Sequence, residues 1–231
     1  MDCGNFPTYN RFGYPNPYII IDTDRDAEAP QTPRQVKMSL KSKTDNRRSK
    51  TVVITISGPH GTGKSTYARA LAEDLHLRYV CAGELFRELA KQRGMSLESF
   101  SRYAANNPEV DHLIDERTGE EAKSGNVVID AQLAAWMVKG EADIKLLLVA
   151  SDSVRFNRIA QRDHVSFEFA KNETLAREEI QRVRYKNYYG IDVSDLSIYD
   201  LRIDTGIHSI EVTRKNILDA VRNLLQKKEA A

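Results

Sequence analysis

A glycine-rich loop is the part of this sequence whose residue types point most directly to chemistry. The loop, Gly58-Pro59-His60-Gly61-Thr62-Gly63-Lys64-Ser65-Thr66, satisfies the pattern G-x-x-x-x-G-K-[ST]. In such a loop the glycines let backbone N–H groups point at phosphate oxygens, the lysine reaches the β- and γ-phosphates, and the serine hydroxyl binds Mg²⁺. The pattern therefore predicts that these residues bind a nucleoside triphosphate such as ATP, and a plain turn between strand and helix is the alternative.

Asp130 is a candidate for the metal side of the same site. It ends a short apolar segment, residues 126–130, that is typical of a strand. A carboxylate at the carboxyl end of a parallel strand can hold Mg²⁺ or the water bound to it, and an ordinary turn aspartate is the alternative. His60 occupies a variable loop position, where we expect the backbone rather than the imidazole to contact phosphate.

Arginines between residues 154 and 190 form a second group that could act on phosphates. Three recur at three- and four-residue spacing on one helical face and three follow: Arg155, Arg158, Arg162, Arg177, Arg182 and Arg184. We expect a helical lid that closes over the phosphates and excludes water, with Arg158 and Arg162 in the lid. Arg162 and Arg184 are predicted to act in catalysis together with Lys64. A solvated helix face is the alternative for each arginine, first of all for Arg155 and Arg182.

Strands and helices that alternate along the chain must position these residues. Strands are predicted at 51–57, 78–81, 126–130, 144–150 and 197–204, and helices at 64–75, 83–125 and 209–226, the second interrupted around Gly94 and Asn107-Pro108. Such an order indicates an α/β fold with a doubly wound, mainly parallel sheet, whose ligands bind at the carboxyl ends of the strands.

Composition narrows the classes of protein that fit. The chain has 231 residues, a net charge of +1 and two cysteines, which are too few for a disulfide framework or a four-cysteine zinc site. No apolar run approaches the length of about 18 residues that a membrane span needs, and the N-terminus lacks the pattern of a secretory signal. We therefore expect a cytoplasmic protein with no membrane partner.

The first 50 residues differ from the remainder. They hold five of the seven prolines and nine Lys or Arg against six Asp or Glu, with a basic stretch at 34–50. We expect residues 1–50 to be a disordered extension. Nucleic acid is not an expected partner, because aromatic residues do not alternate with these charges, and the basic stretch is the only segment that could bind it. Translation that starts at Met38 is a further alternative.

The remaining 180 or so residues favour a small kinase among nucleotide-binding proteins. The Asn-Lys-x-Asp motif by which GTPases read guanine is not in the sequence. Large motor and AAA⁺ ATPases need more chain than this segment offers. A kinase for a nucleotide or another metabolite is the class that is left.

Residues 51–226 resemble the archaeal-type cytidylate kinases, a branch of the nucleoside-monophosphate (NMP) kinases with the adenylate-kinase fold. The resemblance rests on residues 54–66, 82–90 and 126–130 and above all on 184–200, which read RYKNYYGIDVSDLSIYD. It implies a five-stranded, mainly parallel sheet with helices on both faces and a short helical lid. It also implies an NMP-kinase domain over 51–231, with NMP-binding helices at about 83–125 and a lid at about 154–190.

The activity that the resemblance implies is transfer of the ATP γ-phosphoryl group to CMP or dCMP, with Mg²⁺ as the cofactor. Arg87 matches the position that grips the acceptor phosphate. Many members carry Glu-Gly-Arg where this chain has Asp130-Ala131-Gln132, and Gln181 stands where related enzymes often carry an acidic residue. Gln132 and Gln181 are therefore predicted acceptor-binding residues whose contacts differ from the family's. Another NMP kinase and an adenylate-kinase-like ribosome assembly ATPase with an RNA-protein partner are the alternatives.

Overall fold

Five parallel strands form the centre of the molecule. The computed structural model describes residues 51–230, and the strands are β1 (Val53–Ser57), β2 (Arg78–Cys81), β3 (Val127–Asp130), β4 (Ile144–Val149) and β5 (Leu201–Asp204). Their order across the sheet is β2-β3-β1-β4-β5, and every neighbouring pair is parallel. The predicted α/β class and five-stranded parallel sheet are confirmed. The predicted extension, residues 1–50 with the basic stretch 34–50 and Met38, lies outside the described residues.

Helices cover both faces of the sheet, and its central strands β1 and β3 are buried along their whole length, as is typical of parallel sheets. They are α1 (Lys64–Leu75), α2 (Ala82–Gln92), α3 (Leu97–Ala105), α4 (Pro108–Lys123), α5 (Ala134–Met137), α6 (Asp152–Asp163), α7 (Phe167–Tyr189) and α8 (Ile210–Glu229). On one face α1 and α8 pack against Ile54, Ile56 and Leu146. On the other, residues from the ends of α4 and α5 pack against Val53, Val127 and Ile129.

Serine caps explain where four of these helices begin. The Oγ atoms of Ser96, Ser151, Ser166 and Ser209 each accept a hydrogen bond from the backbone N–H three residues later, at the starts of α3, α6, α7 and α8. Such a cap satisfies one of the N–H groups that the first helical turn leaves unpaired. The break between α6 and α7, which the arginine spacing alone does not indicate, follows from the cap at Ser166.

The breaks predicted around Gly94 and Asn107-Pro108 are confirmed, since they separate α2, α3 and α4. The last strand differs from its prediction, because it begins at Leu201 rather than at residue 197. Asp195 accepts hydrogen bonds from the backbone N–H and hydroxyl of Ser197, which hold this segment in a turn. The final helix runs three residues further than predicted, to Glu229.

Helices α2, α3 and α4 form a small subdomain of their own beside the sheet. Its apolar centre contains Ala90, Phe100 and Val110, and Phe100 is fully buried. Helices α6 and α7 pack on each other on the other side of the glycine-rich loop. The carboxyl ends of β1, β3 and β4 therefore open between two helical regions. Within residues 51–230 we find no helix long and apolar enough to span a membrane.

Candidate active site

The glycine-rich loop connects β1 to α1, and its backbone has room only for glycine at two close approaches. Gly58 has φ +149° and a Cβ there would lie 2.2 Å from the carbonyl oxygen of Leu148. Gly61 has φ +79° and a Cβ there would lie 2.5 Å from the carbonyl oxygen of Arg155. The loop is therefore seated against β4 and α6 through backbone contacts that any side chain would block. Its last residues enter α1 at Lys64, where the helix N-terminus favours an anion.

Ser65, in the first turn of α1, and Asp130, the last residue of β3, lie in contact. Their role in holding a metal ion stays a prediction. The Ser65 hydroxyl donates to Asp130 Oδ2 at 2.6 Å. The same oxygen lies 3.1 Å from the Tyr79 hydroxyl and 3.4 Å from Cys81 Sγ. Asp130 is buried, with 3% of its surface exposed, so its carboxylate has a fixed direction.

The chemistry of these donors fits Mg²⁺. A hydroxyl and a carboxylate are hard oxygen ligands, and kinase sites hold Mg²⁺ through one or two such groups together with phosphate oxygens and water. Within the part of the chain that the structure describes, no group of three or more His, Cys, Asp or Glu could hold a metal alone.

Lys64 lies beside this pair. Its Nζ donates to the carbonyl oxygen of Pro59 at 2.9 Å, within the loop itself. Burial lowers the pKa of the Lys64 ammonium, while Asp130 and Glu178 oppose that shift. A phosphate in the loop would supply the negative charge that a buried ammonium requires.

His60 is the loop residue with the most contacts outside the loop. Its backbone N–H donates to Glu178 Oε1 at 3.0 Å, and its carbonyl oxygen accepts from Arg155 at 2.8 Å. Its Nε2 lies 3.0 Å from both Gln132 Nε2 and Gln181 Oε1. Burial, together with the nearby cations Lys64, Arg177 and Arg155, lowers the pKa of the imidazole to about 3. The side chain is therefore neutral near pH 7.

Arg155 anchors α6 to the loop. Its guanidinium is 5% exposed and contacts Glu178 at 2.6 Å and Asp152 at 2.7 Å as well as the carbonyl of His60. A planar guanidinium can satisfy several acceptors at once, which suits this junction. The sequence ranked Arg155 among the arginines of a solvated face. The structure corrects that interpretation, and Asp152 three residues earlier is the signal that could have indicated it.

Three arginines from separate helices share the space in front of the loop. They are Arg87 on α2, Arg162 at the end of α6 and Arg177 on α7, and each keeps part of its surface exposed. Partial loss of hydration lowers the pKa of the Arg177 guanidinium, and the charges of Arg162 and Arg87 act in the same direction, whereas Glu173 raises it. Arg162 also pairs with Asp163 at 2.7 Å. The sequence named Arg87 and Arg162 for this site and left Arg177 without a role.

Arg158, Arg182 and Arg184 have their described contacts elsewhere. Arg158 donates to the hydroxyl of Thr205 at 2.9 Å and to its carbonyl at 2.6 Å, and the Thr205 hydroxyl in turn donates to the loop carbonyl of Thr62 at 2.8 Å. Arg158 therefore links α6 to the glycine-rich loop through Thr205, the residue after β5. Arg182, in contrast, is exposed and pairs with Glu179 at 2.7 Å, as expected for a solvated face.

Arg184 is buried between α7 and α4. Its side chain is 8% exposed, and its Nε lies 3.1 Å from Asp111 Oδ2, which is 10% exposed as a side chain. The two atoms form an ion pair without the alignment of a hydrogen bond, so both remain without a hydrogen-bond partner. Arg184 has no described contact with the glycine-rich loop. The catalytic role predicted for it stays a prediction.

Gln132 and Gln181 are brought together by His60. Gln132 follows β3 and also accepts a hydrogen bond from the Tyr185 hydroxyl at 3.0 Å. Gln181 and Tyr185 lie one turn apart on α7. The two predicted acceptor residues therefore both contact the His60 imidazole. From the sequence, only the backbone of His60 was expected to make a functional contact.

The chain is similar to known kinases. The model of the cytidylate kinase-like family matches residues 53–207. The cytidylate kinase of Staphylothermus marinus is 49% identical over 176 residues, which are 76% of this chain and 99% of that protein. The cytidylate kinase of Aeropyrum pernix is 50% identical over 167 residues, 72% of this chain and 97% of that protein.

Solved structures agree on the fold. A protein of Eubacterium ventriosum described as uncharacterized aligns with a TM-score of 0.58 at 18% identity and covers 74% of this chain and 98% of its own. The shikimate kinase of Bacteroides thetaiotaomicron aligns with a TM-score of 0.52 at 14% identity and covers 76% of this chain and 98% of its own. The family match over most of the catalytic region and the identity to curated relatives lead to one conclusion: this chain belongs to the cytidylate kinase-like family.

Proposed function

We propose that this protein transfers the γ-phosphoryl group of ATP to CMP or dCMP, which yields ADP and CDP or dCDP. The observation that carries the proposal is the pairing of Ser65 with Asp130 at 2.6 Å, beside Lys64 in a glycine-rich loop. The names of the curated relatives supply the acceptor. Because the substrates are free nucleotides, we place the protein in the cytoplasm.

The donor side follows from the loop. Backbone N–H groups and Lys64 bind the phosphates of ATP, and Ser65 and Asp130 hold Mg²⁺, directly or through water. Bound Mg²⁺ neutralises charge on the β- and γ-phosphate oxygens. Little covalent work is required of the protein in phosphoryl transfer, so positioning and charge account for the catalysis.

The acceptor side is formed by the arginines in front of the loop. Arg87, Arg162 and Arg177 converge from three helices, and their mutual repulsion leaves them ready to bind a polyanion. One planar guanidinium can donate two parallel hydrogen bonds to two oxygens of the same phosphate. We assign Arg87 to the acceptor phosphate and Arg162 and Arg177 to the transferring group, with Arg158 as the brace that holds α6.

Arg184 and Asp111 are assigned to the framework of the acceptor side. They form a buried ion pair between α4 and α7, with 3.1 Å between Arg184 Nε and Asp111 Oδ2. Because these two atoms face each other and are closed to solvent, the pair holds the two helices together rather than reading a base. The preference for a cytosine base comes from the names of the curated relatives.

One coupled assay with four acceptors tests the proposal. We expect CMP and dCMP to be phosphorylated with a kcat/KM well above that of UMP and AMP, and we expect activity to require Mg²⁺. A preference for AMP would contradict the proposed acceptor. Weak turnover with all four acceptors, together with salt-sensitive RNA binding, would favour an ATPase that serves an RNA-protein partner.

A further inference from the structure

The imidazole of His60 connects two parts of the molecule that serve different substrates. His60 belongs to the ATP loop, whereas Gln132 follows β3 and Gln181 lies on α7. Its Nε2 is 3.0 Å from the side-chain amide of each glutamine. A variable position of a phosphate loop needs only its backbone for ATP, so these side-chain contacts require a separate explanation.

The hydrogen bonds assign a direction to this contact. The Tyr185 hydroxyl donates to Gln132 Oε1, so the NH₂ group of the same amide faces His60. When the proton is on Nδ1, His60 Nε2 accepts from this NH₂ group; when the proton is on Nε2, it donates to Gln181 Oε1 at 3.0 Å instead. A neutral imidazole therefore bonds to one of the two glutamines at a time. A charged imidazole has no acceptor for Gln132, so the neutral ring is the form that this contact requires.

The surroundings keep His60 in this form and in this place. Burial and the charges of Lys64 and Arg177 hold the pKa of the imidazole at about 3. The backbone on either side is fixed, because Glu178 accepts from the His60 N–H and Arg155 donates to its carbonyl. A ring that can neither charge nor turn away is suited to position its neighbour.

We propose that His60 is a positioning residue for the phosphoryl acceptor, because it holds the Gln132 amide, and with it the loop after β3, at a fixed distance from the ATP loop. The inference rests on the proposed function and deepens it. Gln132 touches the acceptor, whereas His60 acts through Gln132. Loss of the imidazole should therefore weaken acceptor binding and leave ATP binding to the loop backbone.

Three variants separate this role from simple packing. His60→Leu fills similar volume without a polar atom, His60→Gln restores an amide near the position of Nε2, and His208→Ala is a control at an exposed histidine before α8. In His60→Leu we expect the KM for CMP to rise about three- to tenfold, the usual value of one hydrogen bond, with an unchanged KM for ATP. His60→Gln should recover most of this increase, and His208→Ala should match the wild type.

Gln132→Leu tests the same link from its other end without altering the ATP loop. We expect a similar rise in the KM for CMP, and we expect the double variant His60→Leu/Gln132→Leu to be no worse than Gln132→Leu alone. This comparison also decides the question if His60→Leu does not fold, since Gln132→Leu and His60→Gln then carry the test.

The outcomes distinguish the inference from the function on which it rests. A wild-type enzyme that does not phosphorylate CMP or dCMP would overturn both. Normal wild-type turnover with an unchanged KM for CMP in His60→Leu, or in Gln132→Leu, would overturn the inference alone. Equal rises in the KM for CMP and for ATP would also overturn it, because they would indicate a general distortion of the loop.

Discussion

The ATP loop and the helices α6 and α7 present phosphate-binding residue types in two different ways. In the loop, nine consecutive residues contain the glycines, the lysine and the hydroxyl that the chemistry needs. In α6 and α7, six arginines of identical chemistry are distributed over 30 residues, and the structure gives them different partners. Arg155 and Arg184 are buried in ion pairs, Arg158 binds Thr205, Arg182 binds Glu179, Arg162 binds Asp163, and Arg177 lies near the charges of Arg162 and Arg87.

This difference shows what determines the role of a charged residue. A contiguous motif carries its own geometry, because the backbone that connects its residues also positions them. An isolated arginine takes its role from a partner that is distant in sequence, such as Asp111 for Arg184. Spacing on a helix indicates a shared face and not a shared partner. The four predictions below test the two regions in order of expected effect.

Removal of Arg184 should have the largest effect, and on stability. Arg184→Ala leaves the Asp111 carboxylate buried without a counter-charge, which costs about 3 to 5 kcal/mol of unfolding free energy. Chemical denaturation measures this loss. Asp111→Leu/Arg184→Met should recover most of the stability, because no charge is then left buried without a partner. Arg182→Ala, an exposed control, should stay within about 0.5 kcal/mol of the wild type. A stable Arg184→Ala would mean that the pair is not needed for folding.

Removal of Lys64 should act on catalysis. Lys64→Ala deletes the cation expected at the β- and γ-phosphates, so we expect kcat to fall about 10²- to 10³-fold, the usual cost of one such donor. Unfolding free energy should not fall, because the variant removes a buried ammonium. Steady-state kinetics and a thermal melt measure the two quantities. A loss of both activity and stability would contradict the expectation that Lys64 acts on catalysis whereas Arg184 acts on stability.

A positive charge at position 132 should improve acceptor binding. Gln132→Arg restores the residue type that many related enzymes carry, and a charged hydrogen bond to phosphate contributes about 1.5 to 3 kcal/mol against less for a neutral amide. We expect the KM for CMP to fall about tenfold. Gln132→Lys is the matched control for charge without bidentate geometry and should recover part of the gain. An unchanged KM would indicate that Arg87 and Arg177 already fill this role.

Asp115 should give the smallest effect, through pH. Burial, and the nearby charge of Asp111, raise the pKa of Asp115 to about 6. The folded-state pKa lies above the unfolded value of about 3.9, so the folded protein binds more protons than the unfolded chain between these two values. The free energy of unfolding therefore falls as pH rises from about 4 to 6. Asp115→Asn should therefore gain stability relative to the wild type over this interval. Melting temperatures at pH 4, 5, 6 and 7 test this, and parallel curves would contradict it.

The sheet could be predicted from the sequence because it depends on local patterns. The breaks around Gly94 and Asn107-Pro108 fall where glycine and proline end a helix, and the contact of Ser65 with Asp130 is consistent with adjacent parallel strands β1 and β3. The metal-binding role of these two residues stays a prediction. The turn before β5 was missed because Asp195 binds Ser197, a side-chain contact that competes with the strand. The contacts of Arg177 and His60 were missed because their partners come from separate elements, so that no single segment carries the signal. For Arg155, Asp152 three residues earlier was a local signal.

Helix α7 connects the ATP loop to helix α3. This helix has 23 residues and a length of about 35 Å. Glu178 fastens its middle to the ATP loop, and the hydroxyl of Tyr188 fastens its far end to the carbonyl of Ala105 in α3 at 2.5 Å. The half of α7 that follows Glu178 therefore spans the distance between the ATP loop and the subdomain of α2, α3 and α4. Because the rise of a helix is fixed, this half of α7 separates the two regions by about 15 Å along its axis.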